Sequence, residues 1–182
     1  INQAAFLGRG AIGNDHPIPP FDPHFNADVL PPAYSPELAC SLVNRAGYDR
    51  IDLQLHTSTN PGAPMMAIST VMQEKATAGC IDIEIVVMPE AGYWSEVWLV
   101  KPFYTSYWAG RTPDAALSIS VHSSSSWADG ALRGADQSAQ AARVDELIVQ
   151  ARSQGSLEAR RVTYGELQEI LIDEVVRIIP VH

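Results

Sequence analysis

Tyr107, Trp108 and Arg111 fall within one pentapeptide, YWAGR. Aromatic rings offer an apolar face, and a guanidinium offers a planar fork that takes a carboxylate or other anionic group through two hydrogen bonds. Together they suit the capture of a ligand with a flat or apolar part and an acidic or polar end. Trp127, after four consecutive serines, is a further candidate ring for the rim of such a site. Each residue also has a plainer reading. Trp108 and Trp127 can pack, and Arg111 can pair with Asp114 in a solvated ion pair worth little. Trp94 and Trp98 stand four apart, a helical spacing that points to core packing. Glu90 near a strand end suits a cation or amine, with a solvated loop as the plainer reading.

Signals for catalysis are thin. Gly8 to Gly13 matches G-x-G-x-x-G, but no strand precedes it and Asn14-Asp15-His16-Pro17 follows, so it reads as loop glycines rather than a dinucleotide fingerprint. Asp15, His16, Asp22 and His24 could be assembled into a metal-dependent hydrolase, yet their spacing fits no zinc or facial-triad pattern. His122 with Ser120 or Ser123 lacks an evident orienting third group. No nucleophile elbow, metalloprotease helix, phosphate loop or S-x-x-K occurs. No metal and no cofactor is expected. Cys40 and Cys80 lack C-x-x-C spacing and read as two buried free thiols, with a disulfide as the alternative.

The elements that must position these residues follow from periodicity. Ile51, Leu53 and Leu55 alternate with polar residues, as do Ile81, Ile83 and Ile85, which predicts two half-buried strands. Ser35 and Pro36 start a helix with Leu38, Leu42, Val43 and Ala46 inward, ended by Gly47. A second helix spans 65–78 with Met65, Ile68, Val71 and Met72 inward, and a third spans 93–100. Residues 103–108 are β-prone, so 51–109 reads as a parallel β-α-β-α-β unit. Ligands of such sheets bind outside the carboxyl ends of the strands, here near Met88-Pro89-Glu90 and Trp108 to Arg111.

The flanks read differently. Residues 14–36 hold seven of the 13 prolines and are expected to wrap over a surface rather than build a core. After a short helix around 115–119 comes a Gly/Ala/Asp-rich stretch read as loop. Val144, Leu147, Ile148 and Ala151 mark one helix. A second runs over 157–174, with Tyr164, Leu167, Ile170 and Leu171 inward, and 176–181 is predicted as a closing strand.

The chain has 182 residues, 46% of them hydrophobic and 18% charged, which fits one globular domain. The predicted division is a Pro-rich segment (1–35), a βαβαβ core (36–120), and a loop, two helices and a closing strand (121–182). A net charge of −9 without a basic run argues against nucleic acid and against an anionic membrane surface. No apolar run approaches the ~18–20 residues needed to span a bilayer, so no direct membrane insertion is expected. The chain opens with Ile1, in what reads as mid-helix, and is expected to be a piece of something longer.

Five stretches, in order, resemble one family. Residues 7–20 (LGRGAIGNDHPIPP) resemble a G-x-G-x-x-x-N-x-P-I-P loop, and 34–48 (YSPELACSLVNRAGY) a Y-D-P-x-x-A-x-x-L-L-x-x-A-G-Y helix. Residues 72–83 resemble a helix-to-strand passage, and Tyr93-Trp94 and Tyr107-Trp108 its aromatic punctuation. Residues 159–180 resemble the close, R-x-x-x-Y-x-x-x-Q-x-I-L to I-P. Together they resemble the family 5 bacterial extracellular solute-binding proteins, the dipeptide, oligopeptide and nickel class serving ABC importers. The resemblance implies an α/β, type II periplasmic-binding-protein-like fold, of which this chain is mostly the second, C-terminal lobe. That lobe carries a mixed, mainly parallel sheet flanked by helices, and the N-terminal lobe is missing. It further implies a non-enzymatic, periplasmic protein that binds a peptide or small-molecule ligand and hands it to ABC permease subunits. Trp108, Tyr107, Arg111 and Trp127 become ligand-binding candidates. Two departures matter. Dipeptide binders of the family carry Asp where Arg111 stands, and many relatives follow the later Trp with Asn, where this chain has Ala128-Asp129. A peptide, an opine, a sugar acid and an oligosaccharide all remain open as ligands.

Overall fold

A computed structural model describes residues 1–59, 62–128, 139–174 and 176–182. Its Cα positions divide the chain into two compact units: Ile1–Arg9 with Pro32–Trp108, and Gly10–Pro31 with Ala109–His182. The division falls inside the 36–120 segment read as a single core.

The first unit begins with α1 (Asn2–Phe6) and α2 (Pro36–Arg45). Strand β1 (Ile51–Ser58), helix α3 (Met65–Thr77) and strand β2 (Ile81–Met88) follow. The strands pair in parallel from Ile51 opposite Ile81 to Ser58 opposite Met88, joined by a crossover through α3. The predicted third strand shrinks to one parallel bridge between His56 and Tyr104. His56 N–H donates to Phe103 O at 3.1 Å and Thr105 N–H to His56 O at 2.9 Å. Helix α4 (Glu90–Glu96) begins earlier than expected and ends before Trp98. Its first turn is broken at Ala91 and Gly92; Gly92 has φ 92°, a left-handed conformation that glycine adopts without steric cost.

Ser35 caps α2 as predicted, accepting from Leu38 N–H at 3.3 Å, with Pro36 in the first turn. Of the predicted inward residues Val43 turns in and the two leucines turn out. Leu38 and Leu42 are 56% and 50% exposed, and Val43 is the buried residue of the helix. Two contacts set its rotation. Cys40 and Cys80 form a disulfide, with Cα atoms 4.9 Å apart, which corrects the free-thiol reading. Gly79 lies so close that a Cβ there would stand 3.0 Å from Ala39 Cβ. The face bearing Ala39, Cys40 and Val43 therefore turns inward, and the leucine stripe turns out.

The second unit is mainly helical: α5 (Pro113–Ser120), α6 (Ala139–Ser153) and α7 (Leu157–Asp173). Val144, Leu147, Ile148 and Ala151 are fully buried, as their spacing predicts, and pack with Leu117, Tyr164, Leu167 and Leu171. Ser156 caps α7 through Ala159 N–H at 3.1 Å. Of the stretch expected to be loop, residues 129–138 lie outside the described residues, and from Ala139 onward the chain is helical.

The Pro-rich segment contributes to this core, contrary to expectation. Ile18 is fully buried in the same cluster. Gln168 in α7 anchors the segment, accepting from Asn26 N–H at 3.0 Å and donating to His24 O at 3.1 Å. The predicted closing strand is reduced to an antiparallel bridge between Ile12 and Val181. A longer ladder is blocked locally. Ile179 N–H is taken by Asp15 Oδ1 at 2.7 Å, and Pro180 has no N–H to donate.

Candidate functional site

The carboxyl end of β1 and the segment after α4 bring together buried hydroxyls and a group of aromatic rings in the first unit. Burial along β1 rises toward its carboxyl end: Leu55, His56, Thr57 and Ser58 are all buried, whereas Leu53 is 38% exposed. Tyr93, on α4, is fully buried beneath that end. Its hydroxyl donates to Thr105 O at 2.8 Å and stands 3.1 Å from His56 O. Thr105 Oγ1 is 2.9 Å from Thr57 Oγ1 and 3.4 Å from the Tyr93 hydroxyl. Burial pushes the Tyr93 phenol above its ordinary value, so it stays protonated and able to donate.

An array of rings extends from Tyr93. Trp94 meets it edge-on with centroids 5.5 Å apart, and also meets Tyr107 at 5.5 Å and Trp98 at 6.0 Å. Trp98 meets Trp108 at 6.1 Å. All are tilted or T-shaped contacts, the geometry that aromatic quadrupoles favour. Trp94 and Trp98 are not the core pair that their spacing suggests. Trp94 is 37% exposed and Tyr107 42%, so the array presents ring surface to solvent. The two candidates Tyr107 and Trp108 thus belong to one aromatic wall.

A recess of about 630 Å³ opens beside the end of β1, lined among others by Phe6, Ser58, Ala63, Pro64, Met65 and Met66. Its lining is mostly apolar. Met65 also packs on Tyr93 and Val97, which ties the recess to the wall. Ser58 is 1% exposed, and among the described residues its hydroxyl has no hydrogen-bond partner. Helix α3 starts here with Pro64 at its cap, which supplies no side-chain acceptor to the first-turn N–H groups. The turn-rich sequence after β1 was legible as a loop at a strand end. That Ser58 and Met65 line a recess was not, because it depends on how α1 and α3 pack.

Arg111 and Trp127 belong to the second unit. Arg111 is exposed and donates from Nη1 to Ala109 O at 2.9 Å. Asp114, its expected ion-pair partner, accepts from Arg152 Nε at 2.6 Å. Trp127 is 47% exposed, and its N–H bonds Ser125 Oγ at 3.2 Å. Glu90 is an exposed residue of the first turn of α4.

The histidine candidates are placed as structural groups. His16 is fully buried; Asn14 Nδ2 lies 2.8 Å from its Nε2, and Ile18 N–H reaches its Nδ1 at 3.3 Å. Burial, reinforced by nearby His182, lowers its pKa to about 4, so it is neutral at pH 7. His24 Nδ1 is 2.9 Å from Asp22 Oδ1, and its ring meets Tyr164 edge-on at 5.2 Å. His122 meets both Ser124 Oγ, at 3.0 Å, and Asp145, at 3.5 Å, through the same nitrogen, Nδ1. A proton relay needs serine and carboxylate on opposite ring nitrogens. Ser123 Oγ bonds Asp145, and Ser120 is buried in α5. Among the described residues, no group of three or more His, Cys, Asp and Glu side chains is gathered to hold a metal.

The architecture is α/β, a small parallel sheet flanked by helices, and it is the fold of part of the bacterial periplasmic binding proteins. The expectation drawn from the family resemblance is borne out at the level of the fold. The ABC transporter-associated periplasmic binding protein DppA from Helicobacter pylori, in complex with peptide STSA, superposes with a TM-score of 0.75 at 20% identity; the match covers 96% of this chain and 34% of that one. The binding protein MoaA from A. tumefacien R10, in complex with mannopinic acid, gives 0.69 at 19% identity, covering 92% and 33%. The oligopeptide-binding protein AppA from Bacillus subtilis, in complex with a nonapeptide, gives 0.69 at 16% identity, covering 95% and 36%. This chain therefore spans about a third of the length of the solved structures it matches. No family model matches the chain, and no curated protein matches it by sequence. Among the described residues no helix is long and apolar enough to cross a membrane.

Proposed function

We propose that this chain is the C-terminal lobe of a family 5 periplasmic solute-binding protein, the substrate-binding component of an ABC importer. The observation that carries this reading is the aromatic wall of Trp94, Tyr107, Trp98 and Trp108, exposed at Trp94 and Tyr107, beside an apolar recess, both on the fold of peptide- and opine-binding proteins. The rings and the recess suit stacking on and enclosure of a ligand. Tyr107 and Trp108 stack on the ligand, Arg111 pairs with its acidic or polar end, and Trp127 lines the rim. The ligand is a peptide or peptide-like solute, with Arg111 favouring an anionic group where dipeptide binders hold an ammonium. A second, N-terminal lobe of the same chain closes over it, and the closed state is the one that ABC permease subunits recognise.

Isothermal titration of the full-length chain with the tetrapeptide Ser-Thr-Ser-Ala and with mannopinic acid, alongside native mass spectrometry of the protein from its own export compartment, tests this. A bound small mass lost on denaturation, or saturable heat with either probe, supports it. No bound mass and no heat or melting shift across peptides, opines and sugars would move the reading to an interaction domain.

A further inference from the structure

The 103–108 segment has a placement problem. It carries Tyr107 and Trp108, yet it joins the sheet through a single bridge at Tyr104. Two backbone hydrogen bonds to His56 cannot by themselves fix a chain end several residues further on. The side chains beneath it supply the missing restraint. Tyr93 is fully buried, Thr57 fully buried, and Thr105 8% exposed. Their hydroxyls form one connected group that reaches the backbone of both segments, at Thr105 O and His56 O. The same Tyr93 ring contacts Trp94, which contacts Tyr107 and Trp98. One side chain therefore touches the strand, the segment bearing the wall, and the wall itself.

We propose that Tyr93 is a positioning residue for ligand recognition: its hydroxyl clamps the 103–108 segment to the carboxyl end of β1 and so sets the geometry of the Trp94, Trp98, Tyr107 and Trp108 wall. A buried polar network with every member engaged holds one arrangement, because any alternative leaves a hydroxyl or carbonyl unpaired away from water. The proposal rests on the solute-binding reading for its consequence, not for its geometry.

The test is fluorine NMR of the full-length chain labelled with 5-fluorotryptophan, without ligand, with resonances assigned by single Trp→Phe variants. Tyr93→Phe removes one oxygen and leaves the ring. It should shift or broaden the resonances of Trp94, Trp98 and Trp108 and leave Trp127, in the other unit, unchanged. Thr105→Val should move the same three by less. Whichever of the two variants folds decides the matter. Three unmoved resonances would overturn the proposal, as would a displacement of Trp127 equal to theirs, since that reports general loosening. The probe that binds in the titrations above should then bind Tyr93→Phe at least tenfold more weakly; unchanged affinity would remove the role in recognition. If neither probe binds the parent chain, the solute reading fails with those probes while the fluorine spectra still decide the clamp.

Discussion

Cys40 and Cys80, 40 positions apart, are joined by a disulfide that fastens α2 to the turn entering β2. Ala39 packs close to Gly79, and Val43 is the one buried residue of that helix. Tyr34, just before it, donates to Lys75 O at 3.0 Å. A ten-residue helix is marginal on its own in water. Reduction, or Cys40→Ser with Cys80→Ser, should cost about 2–4 kcal/mol. Hydrogen exchange should show residues 36–45 losing protection first, while Ile81–Met88 keep theirs. Equal protection of α2 in both states would show that the disulfide is not what anchors it.

Acid should weaken the second unit. Burial lowers the His16 pKa to about 4 in the fold, against an ordinary 6.5, and lowers His182 in the same direction. A depressed histidine is neutral in the fold and protonated when unfolded, so its contribution is full above pH 6.5 and falls as pH drops from there toward 4. The slope is up to about 1.4 kcal/mol per pH unit for each such histidine. Asp15, raised by burial, works the other way at the acid end and offsets part of this. Melting temperature should decline between pH 7 and pH 5, and the decline should shrink in His16→Asn. A flat profile would contradict the buried neutral state.

Gly13 and Gly110 should respond oppositely to alanine. A Cβ on Gly13 would fall 1.6 Å from Ile179 O, so the 11–13 and 179–182 segments would have to separate. Among the described residues nothing lies within 4 Å of a Cβ on Gly110. Gly13→Ala should lower the melting temperature by several degrees and Gly110→Ala should leave it within about one degree, the range of a surface change worth under about 0.5 kcal/mol. Equal behaviour would refute the close approach.

Leu147→Ala should destabilise by about 2–5 kcal/mol, since Leu147 is fully buried among α5, α6 and α7. Chemical denaturation measures it, and a cost below about 1 kcal/mol would mean that the core collapses around the change.

For recognition, Arg111→Ala in the full-length protein should weaken binding of an anionic ligand by about 1.5–3 kcal/mol if a charged hydrogen bond is lost. Calorimetry with the binding probe reads this directly, and unchanged affinity would dismiss Arg111 from the site.

Legibility differed by element. The helix over 157–173 and the buried stripe of α6 follow from spacing alone, because a helix packed on one side repeats its apolar contacts every three to four residues. The strands at 51 and 81 and their parallel pairing were equally readable. The leucines of α2 misled, because a helix attached through a disulfide and a close glycine turns the face that those contacts dictate. Trp94 and Trp98 misled in the same way, since spacing marks a shared face and not what covers it.

Composition, periodicity and the ordered motifs thus determined the class of fold, most elements, and the two rings at the end of the 103–108 segment, since all of these are encoded in neighbours along the chain. Tertiary structure alone decided the Cys40–Cys80 bond, the burial of Ile18 and His16 of the Pro-rich segment, the Tyr93 network and the recess at Ser58. Each joins residues far apart in sequence, and a contact of that kind leaves no local pattern to read.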